Sequence, residues 1–434
     1  MKTPLTWMKI YYSILASICI VAVAATGSLS QAAPAENSTG SEIAFWLGPY
    51  IDIWMGDIHN SHDPTIAYNT TRDEFLVVWV VDQDDYTHDL WARQIKSDGT
   101  IISWFCLLSI EAFVLNRPAI SYNSQLDEYL LVFELKWSEA DWDIYGIRLK
   151  GNGMPADTHF GINTATESTM YPSVAYNSQQ DQYLVAFQFQ HADGRISTQL
   201  RLFNSTTSLI GDGEISSLVN EYRVDPEVIY NPARDQYLVA YGYETSYSVP
   251  RVKGKIINSD LSDIIASAEQ IFDLPGQGKL YIRAAAGPDE YLVAWTDNIM
   301  PDAVIYGRRL NGDGTPQAEQ FLIASEIMNM HIEGDIAFRP GIGYLNVSRY
   351  LDSFAADVDD IYLRFVKPGH NQASGSEYNL VANPGTQYTP VIACNPQGNC
   401  LVVYAHSSPS SSAVGIHGRI IGFGKVFLPM LYHK

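Results

Sequence analysis

A six-residue sequence recurs at a constant interval along the chain, and this interval constrains the fold more than any other feature. The copies are EFLVVW at 74–79, EYLLVF at 128–133, QYLVAF at 182–187, QYLVAY at 236–241 and EYLVAW at 290–295. Their shared leucines lie 54 residues apart, and weaker copies at Leu345 and Leu401 bring the number to seven. A fixed period of this length predicts a repeat architecture.

The second repeat shows what each unit contains. A first strand at 118–123 and a turn at 124–127 precede a second strand at 128–133, which is apolar at consecutive positions. Such a strand must be covered on both faces. A third strand at 143–149, a glycine-containing hairpin turn at 150–153 and a fourth strand around 160–162 complete the unit.

These features predict an all-β chain that folds as a seven-bladed β-propeller of four-stranded antiparallel blades. A unit of 54 residues is too small to bury its own two-sided strand. We assign residues 36–63 to an N-terminal segment, 64–422 to the propeller and 423–434 to a tail. The last repeat lacks a fourth strand, and an N-terminal strand at 42–47 is expected to close the ring, with 425–430 as the alternative.

The N-terminus has the order of features found in secretory signal peptides. Lys2 and Lys9 precede an apolar stretch at 10–25, and small residues follow it up to Ala35. The stretch is shorter than the roughly 20 residues that span a bilayer. We therefore predict a signal peptide at 1–35, secretion or a cell-surface location, no transmembrane anchor after cleavage, and a monomer.

The charge of the chain disfavours one class of partner. Lys2 and Lys9 are the only charged residues among the first 35, so the rest holds 25 of the 27 basic residues and all 48 acidic ones, a formal net charge of −23. This field repels nucleic acid and favours cations or neutral ligands. Carbohydrate or a surface protein is the expected partner.

Aromatic pairs recur in the first hairpin of the repeats, seven positions apart. They are Tyr68 with Phe75, Tyr122 with Tyr129, Tyr176 with Tyr183, and Tyr230 with Tyr237. We expect these rings to face each other across the strands. The matching positions of the last repeat are Cys394 and Cys400, which predicts a disulfide in an oxidising compartment, with a two-cysteine metal site as the alternative.

The pairing of YLVAW with a following DIYGxRL resembles the repeats of secreted bacterial β-propellers. The likeness runs from Pro64 to about Ile421 and is clearest at 143–149 and 305–310. It implies the propeller fold and no particular reaction. Arginines of the third strand recur as Arg148, Arg309 and Arg419, and we expect them to hold neighbouring repeats together.

Acidic residues occupy the loops that are expected at one end of the central channel. They include Asp82, Asp84, Asp357 and Asp359. Carboxylates that converge on one opening are suitable ligands for calcium, the one cofactor that we consider. Acidic loops are also ordinary on an exported acidic protein, so both interpretations stay open.

A second group of polar residues precedes the first repeat: Asp57, His59, His62 and Asp63. Two histidines three positions apart, with flanking carboxylates, are ligand types that zinc uses. On an irregular loop this spacing also arises by chance.

Three carboxylates, Asp63, Asp225 and Glu333, precede the first strands of repeats one, four and six. If the chain is an enzyme, they are candidates for the acid and base of a glycoside hydrolase or polysaccharide lyase. The even spacing of the repeats argues against this, because catalytic propellers usually carry insertions. A non-enzymatic binding or scaffold module for glycans or proteins is the favoured interpretation.

Aromatic residues in the loops are the best indication of the ligand. Trp137 and Trp142 flank the acidic loop of repeat two, and Tyr86 and Tyr243 lie in equivalent loops. Exposed aromatic faces stack on sugar rings, which indicates a glycan-binding face. Packing of these loops against the next blade is the alternative.

Overall fold

The computed structural model describes residues 43–423 apart from 56–58, 85, 139–140, 216–220, 246–247, 265–267, 274–278, 300–301, 325–328, 353–357, 397 and 410–412. All regular structure in this part of the chain is β-strand, which confirms the all-β prediction. None of the described residues forms a helix long and apolar enough to span a membrane. The predicted signal peptide and the C-terminal tail lie outside these residues.

The strands follow one another as antiparallel hairpins. In the first half of the chain they are β1 (Phe45–Trp54), β2 (Asn60–Asn69), β3 (Glu74–Asp82), β4 (Thr87–Lys96), β5 (Ile101–Glu111), β6 (Val114–Asn123), β7 (Glu128–Ser138), β8 (Asp141–Lys150), β9 (Phe160–Asn163), β10 (Thr169–Asn177), β11 (Gln182–Gln190), β12 (Ile196–Asn204), β13 (Leu209–Ile215) and β14 (Glu221–Asn231). In the second half they are β15 (Gln236–Thr245), β16 (Ser248–Asn258), β17 (Gln270–Ile271), β18 (Lys279–Ala286), β19 (Glu290–Ile299), β20 (Asp302–Asn311), β21 (Phe321–Ala324), β22 (Asn329–Arg339), β23 (Gly343–Asp352), β24 (Val358–Val366), β25 (Ser374–Val381), β26 (Gly385–Cys394), β27 (Asn399–Ser407) and β28 (Val414–Phe423).

The hydrogen-bond pattern divides these strands into groups of four. Groups begin at β2, β6, β10, β14, β18 and β22, and in each the strands pair antiparallel in chain order. The last group combines β26, β27 and β28 with β1, which pairs antiparallel with β28. Short parallel bridges, such as Asn60 with Val414, link some groups, so that the described strands form three sheets of 16, 8 and 4 strands, none closed on itself.

Apolar burial between groups explains why they stack. The seven residues of β3 from Phe75 to Val81 have no exposed surface. Successive residues of β3 point to opposite faces. Leu76 and the residues on its face pack against Leu131 of the second group, whereas Phe75 and the residues on the other face pack against Leu401 of the last group. The first strands also contact one another in succession, and β26 contacts β2. Four-stranded groups stacked face to face in this way are the arrangement of β-propellers.

Several strands are longer than the sequence suggests. β7 continues to Ser138 instead of ending at Phe133, because β8 begins at Asp141 and pairs with the whole extension. The first strand of the first group begins at Asn60 and not at Pro64, and the N-terminal strand runs from Phe45 to Trp54 and not over 42–47.

The predicted cross-strand pairs are confirmed. The four aromatic ring pairs have centroid distances of 5.1 to 5.4 Å. Cys394 and Cys400 lie directly opposite each other in β26 and β27 and form a disulfide. Phe338 and Tyr344 form a further ring pair in the sixth group, at 5.0 Å.

Hydrogen bonds from the preceding group converge on one aspartate in the first turn of groups two, three and four. The carboxylate of Asp235 accepts hydrogen bonds from Asn177 (2.8 Å), Gln180 (2.9 Å), Tyr230 (3.1 Å) and Ser259 (3.2 Å). The first two donors belong to the preceding group. The same contact joins Asn69 to Asp127 at 2.8 Å and Asn123 to Asp181 at 3.0 Å.

Arginines of the third strands add a second tie between groups. Arg364 Nε donates to the carbonyl of Ile323 in the preceding group at 2.9 Å, and Arg308 Nη1 donates to that of Phe272 at 2.9 Å. Arg93 and Arg419 make the same kind of contact with the carbonyls of Ile53 and Leu380. These guanidinium groups therefore have a structural role.

We expect Asp235→Asn to lower the free energy of unfolding by about 1–3 kcal/mol at neutral pH, because four donors share its charge. Burial raises the pKa of Asp235, but its hydrogen bonds outweigh burial and hold the pKa below the ordinary value. The stabilisation is therefore present above about pH 4 and is lost as the pH falls through the lower folded-state pKa. Urea unfolding followed by circular dichroism measures the difference between the two proteins, which should shrink in acid.

The matched control is Asp260→Asn. Asp260 accepts local hydrogen bonds from Ser262, including its amide at 3.0 Å, and an asparagine oxygen can keep them. An equal loss of stability in both variants would contradict the role given to Asp235.

Candidate functional site

Each of the seven first strands has one residue with a left-handed backbone conformation, at the equivalent position of the strand. The φ angles of these residues are 48–59°, and each lies at a β-bulge where the pairing register shifts. These bulge residues are Asp63, Arg117, Tyr171, Asp225, Tyr281, Glu333 and Thr389. Side chains with positive φ are uncommon outside glycine, so their recurrence indicates a position that the fold requires.

The three predicted catalytic carboxylates all belong to this set. They lie inside the first strands, and not before them as the sequence suggests, because each strand continues across its bulge. Asp63 Oδ2 accepts the amide of Arg117 at 3.1 Å, and Glu333 Oε2 accepts the amide of Thr389 at 3.0 Å. Each bond satisfies the bulge amide of the next group, so both carboxylates have a structural function.

Asp225 differs from the other two. Its side chain makes no hydrogen bond or ion pair with the described residues. Its charge nevertheless acts on Glu134 of the second group and on Tyr281 of the fifth. The charge of Asp63 also acts on Glu134, and that of Glu333 on Tyr281, so Asp225 shares one neighbouring group with each of the other two carboxylates.

Two buried glutamates have strongly altered acidity. Burial raises the pKa of Glu134 to about 7, with the like charges of Asp63 and Asp225 adding to the effect. Burial likewise raises the pKa of Glu227 to about 7, although Arg283 opposes the shift. The sequence analysis missed both residues. A carboxylate inside the apolar run 129–135 was the signal that would have found Glu134.

A pocket of about 420 Å³ lies beside Asp63, between the first and second groups. We call it the histidine pocket. It is lined by His59, Asn60, His62, Asp82, Gln83, Asp84, His88, Phe113, Val114 and Asn116. The ends of β2, β3, β4 and β6 and the loop between β3 and β4 supply these residues, so the pocket opens on the face that carries the acidic loops.

Asp82 joins two histidines at the wall of this pocket. His62 Nε2 lies 3.3 Å from Asp82 Oδ2, and His88 Nδ1 lies 2.7 Å from Asp82 Oδ1. His62 Nδ1 is also 3.6 Å from Asp63. Burial lowers the pKa of His62, but Asp63 and Asp82 outweigh this effect and raise the pKa to about 9. His62 is therefore a fixed cation at neutral pH.

His88 leaves one polar atom without a protein partner. Its side chain is 8% exposed, and its Nε2 atom makes no hydrogen bond to the described residues. A buried polar atom of this kind is costly unless water or a ligand pairs with it.

Two exposed aromatic rings border the pocket. Tyr86 is 61% exposed and Phe113 is 44% exposed. Their centroids are 5.8 Å apart in an edge-to-face arrangement. The Ala112 amide donates to the Tyr86 carbonyl at 3.0 Å, which fixes the Tyr86 loop beside Phe113. Asp84 Oδ1 in turn accepts the amides of Tyr86 and Thr87, at 2.8 and 2.7 Å.

The other three predicted ligand-binding aromatics are engaged within the protein. Trp137 packs against the apolar cluster that contains Leu76 and Leu131, and its ring centroid lies 6.2 Å from that of Tyr145. Trp142 lies under the ammonium of Lys136, at 5.4 Å. Tyr243 donates to Glu221 at 2.9 Å, as part of a charged network. Ligand contact through these three residues stays a prediction.

The predicted calcium ligands do not form one group. Asp82 contacts histidines, Asp84 caps its own loop, and Asp359 Oδ2 accepts a hydrogen bond from Arg349 at 2.6 Å. Asp357 and the Asp57 of the suggested zinc site lie outside the described residues. In the part of the chain that the structure describes, no group of three or more His, Cys, Asp or Glu side chains is placed to hold a metal ion.

Comparison with known proteins supports the fold alone. No protein-family model and no curated protein matches the chain. A protein of unknown function from Dyadobacter fermentans is similar at a TM-score of 0.52 and 10% identity, over 86% of this chain and 98% of that one. A Hadza microbial sialidase has a TM-score of 0.49 at 12% identity, over 80% of this chain and 76% of that one. The β-propeller domain of the Trilobed protease from Pyrococcus furiosus has a TM-score of 0.48 at 11% identity, over 83% of this chain and 95% of that one.

We expect the imidazole of His62 to titrate near pH 9 in the folded protein. Its stabilising charge is fully present below the unfolded pKa of about 6.5 and is lost as the pH rises through the folded value. Long-range ¹H–¹⁵N NMR of the histidine rings measures this titration, with His62→Gln identifying the signal. Asp82→Asn should lower the pKa of His62, and an unchanged titration in that variant would contradict the arrangement.

Proposed function

We propose that this chain is a seven-bladed, exported β-propeller that binds glycans through the histidine pocket and its aromatic border, without catalysing a reaction. The observation that carries the proposal is the combination at one opening of two exposed rings, Tyr86 and Phe113, with a polar cavity of about 420 Å³. Sugars present both apolar faces and hydroxyl groups, and ligand sites combine the matching features.

Contacts at the junction of the first and last groups support a ring of seven blades. β1 pairs with β28 of the last group, while its Trp54 packs on Trp79, Trp91 and Trp104 of the first, at 5.2 to 5.9 Å. The N-terminal strand therefore contacts both ends of the propeller. The short parallel bridge between Asn60 and Val414 adds a backbone contact at the same place.

The polar lining supports glycan binding over protein binding. Imidazole, carboxylate and amide groups from His88, Asp82 and Asn116 surround a small cavity, whereas a protein interface is larger, with an apolar centre. The disulfide between Cys394 and Cys400 supports export, because such bonds persist in oxidising compartments.

We expect Tyr86→Ala and Phe113→Ala each to weaken glycan binding by about 2- to 12-fold, the range for one aromatic contact. Affinity electrophoresis in gels that contain neutral, amino or acidic polysaccharides identifies the ligand. Isothermal titration calorimetry with an oligosaccharide of that ligand then measures the two variants.

The matched control is Leu209→Ala. Leu209 is 53% exposed on β13, the outer strand of the third group, away from the histidine pocket. Equal losses in all three variants, or no retardation by any polysaccharide, would remove the support for glycan binding at this site.

A glycoside hydrolase or polysaccharide lyase is a second candidate, favoured by Asp225 and Glu134. Asp225 has no protein partner among the described residues, and the pKa of Glu134 is raised to about 7. Glycoside hydrolysis requires a carboxylic acid that keeps its proton near neutral pH together with a second carboxyl group.

For this candidate we expect reducing ends to form on incubation with a polysaccharide, and the rate to fall above about pH 7 as Glu134 loses its proton. Asp225→Asn and Glu134→Gln should abolish the release, whereas Asp289→Asn, an exposed carboxylate paired with Arg234, should not change it. Product formation that persists in Asp225→Asn would exclude these residues as the catalytic pair.

A further inference from the structure

We propose that the side chains of Lys279 and Asp297 join in an intramolecular isopeptide bond, with Asp273 as the group that moves the protons. The three residues lie where the fourth and fifth groups meet. Asp273 comes two residues after β17 ends at Ile271, and Lys279 lies directly opposite Asp297 in the pairing of β18 with β19. This modification site goes beyond the proposed glycan binding and does not depend on it.

The three side chains are closed off from water. Their exposed fractions are 1% for Lys279, 0% for Asp273 and 4% for Asp297. Trp295, on the same face of β19 as Asp297, is 1% exposed and belongs to an apolar cluster. Separate charges in such surroundings carry a large desolvation cost. A neutral amide in place of the ammonium and carboxylate removes two of these charges.

The contacts bring an amine and two carboxylates together at one point. Lys279 Nζ contacts Asp297 Oδ2 directly and lies 3.6 Å from Asp273 Oδ2. An ammonium has three N–H donors, and Lys279 makes one hydrogen bond to the described residues. Asp297 Oδ1 and Asp273 Oδ2 accept none there. An isopeptide nitrogen keeps a single N–H, which can donate to Asp273 Oδ2, so fewer buried groups stay unpaired.

Arg251 orients Asp273 for a role in proton transfer. Arg251 Nε donates to Asp273 Oδ1 at 3.0 Å, and Arg251 also contacts the Asp273 carbonyl. The other carboxylate oxygen, Oδ2, therefore faces Lys279. Burial raises the pKa of Asp273, although its hydrogen bonds and the positive charges of Arg251 and Lys279 oppose the shift. The carboxylate is consequently a better proton acceptor than an exposed aspartate.

The reaction balances without any further reagent. One ammonium proton passes from Lys279 to Asp297, which gives an amine and a carboxylic acid. The nitrogen lone pair attacks Cγ of Asp297 and forms the C–N bond. Asp273 accepts a second proton from the nitrogen and returns it to the hydroxyl group that leaves as the C–O bond breaks. The products are an amide and one water molecule, and the fixed contact of the reactants favours the step.

Mass spectrometry of the intact, denatured chain tests the proposal, after removal of any signal peptide and reduction of the disulfide. We expect a mass below the value calculated from the sequence by one water molecule. A protease digest should contain a branched peptide whose fragment ions join Lys279 to Asp297. An intact mass equal to the calculated value, or a water molecule lost at another position, would overturn the proposal.

Variants of the three residues identify their roles. Lys279→Arg and Asp297→Ala should each have the full mass calculated for their own sequence. Asp273→Asn has a side chain of similar size but accepts no proton, so most of its chains should stay unlinked, with circular dichroism reporting whether they are folded. Complete bond formation in Asp273→Asn would contradict the role given to Asp273.

The ion pair between Lys253 and Glu269 is the matched control within the same chain. Lys253 Nζ lies 2.8 Å from Glu269 Oε2, but the two side chains are 12% and 25% exposed. We expect trypsin to cleave after Lys253 and not after Lys279. A bond between Lys253 and Glu269 would show that contact without burial suffices, and would overturn the explanation given for Lys279 and Asp297.

Discussion

The burial of each second strand on both faces is the constraint on which the rest of the structure depends. In β3, alternate residues pack towards opposite neighbours, with Leu76 in the cluster of the second group and Phe75 in that of the last. A single group would expose both of these apolar faces to water, so its stability comes from its neighbours. The ties through Asp235 and through Arg364 then fix how neighbouring groups sit against each other.

The same constraint explains the role of the N-terminal strand. The last repeat supplies three strands, and β1 covers the exposed edge of β28. Trp54, at the end of β1, packs against both Trp91 and Trp104 of the first group. Five residues later the chain reaches His59 and Asn60, which line the histidine pocket. The candidate ligand site thus lies beside the chain segment that follows β1, between the first and second groups.

The sequence predicts the features that depend on local period, and misses those that depend on strand register. The repeat length and the ring pairs are confirmed, since they follow from residues in one hairpin. The prediction that Arg148, Arg309 and Arg419 occupy one equivalent position of the third strand was wrong. Arg419 shares its register with Arg364. Arg148 and Arg309 lie one position later in their strands and form ion pairs with glutamates of their own second strands. Adjacent strand positions face opposite sides, so residue type alone did not separate the two sets.

The left-handed bulges could not be read from the sequence either, because they exist only once two strands pair. The hydrogen bonds at these bulges distinguish acidic residues that have a structural role from those that have none. The Asp63 and Glu333 carboxylates accept bulge amides of the next group, so the fold itself requires an acceptor at these positions. Asp225, at the equivalent position, makes no such bond in the described part of the chain, and Asp84 bonds only within its own loop. The acidic residues at the bulges therefore divide into those that the fold requires, Asp63 and Glu333, and Asp225, whose replacement should leave the fold unchanged.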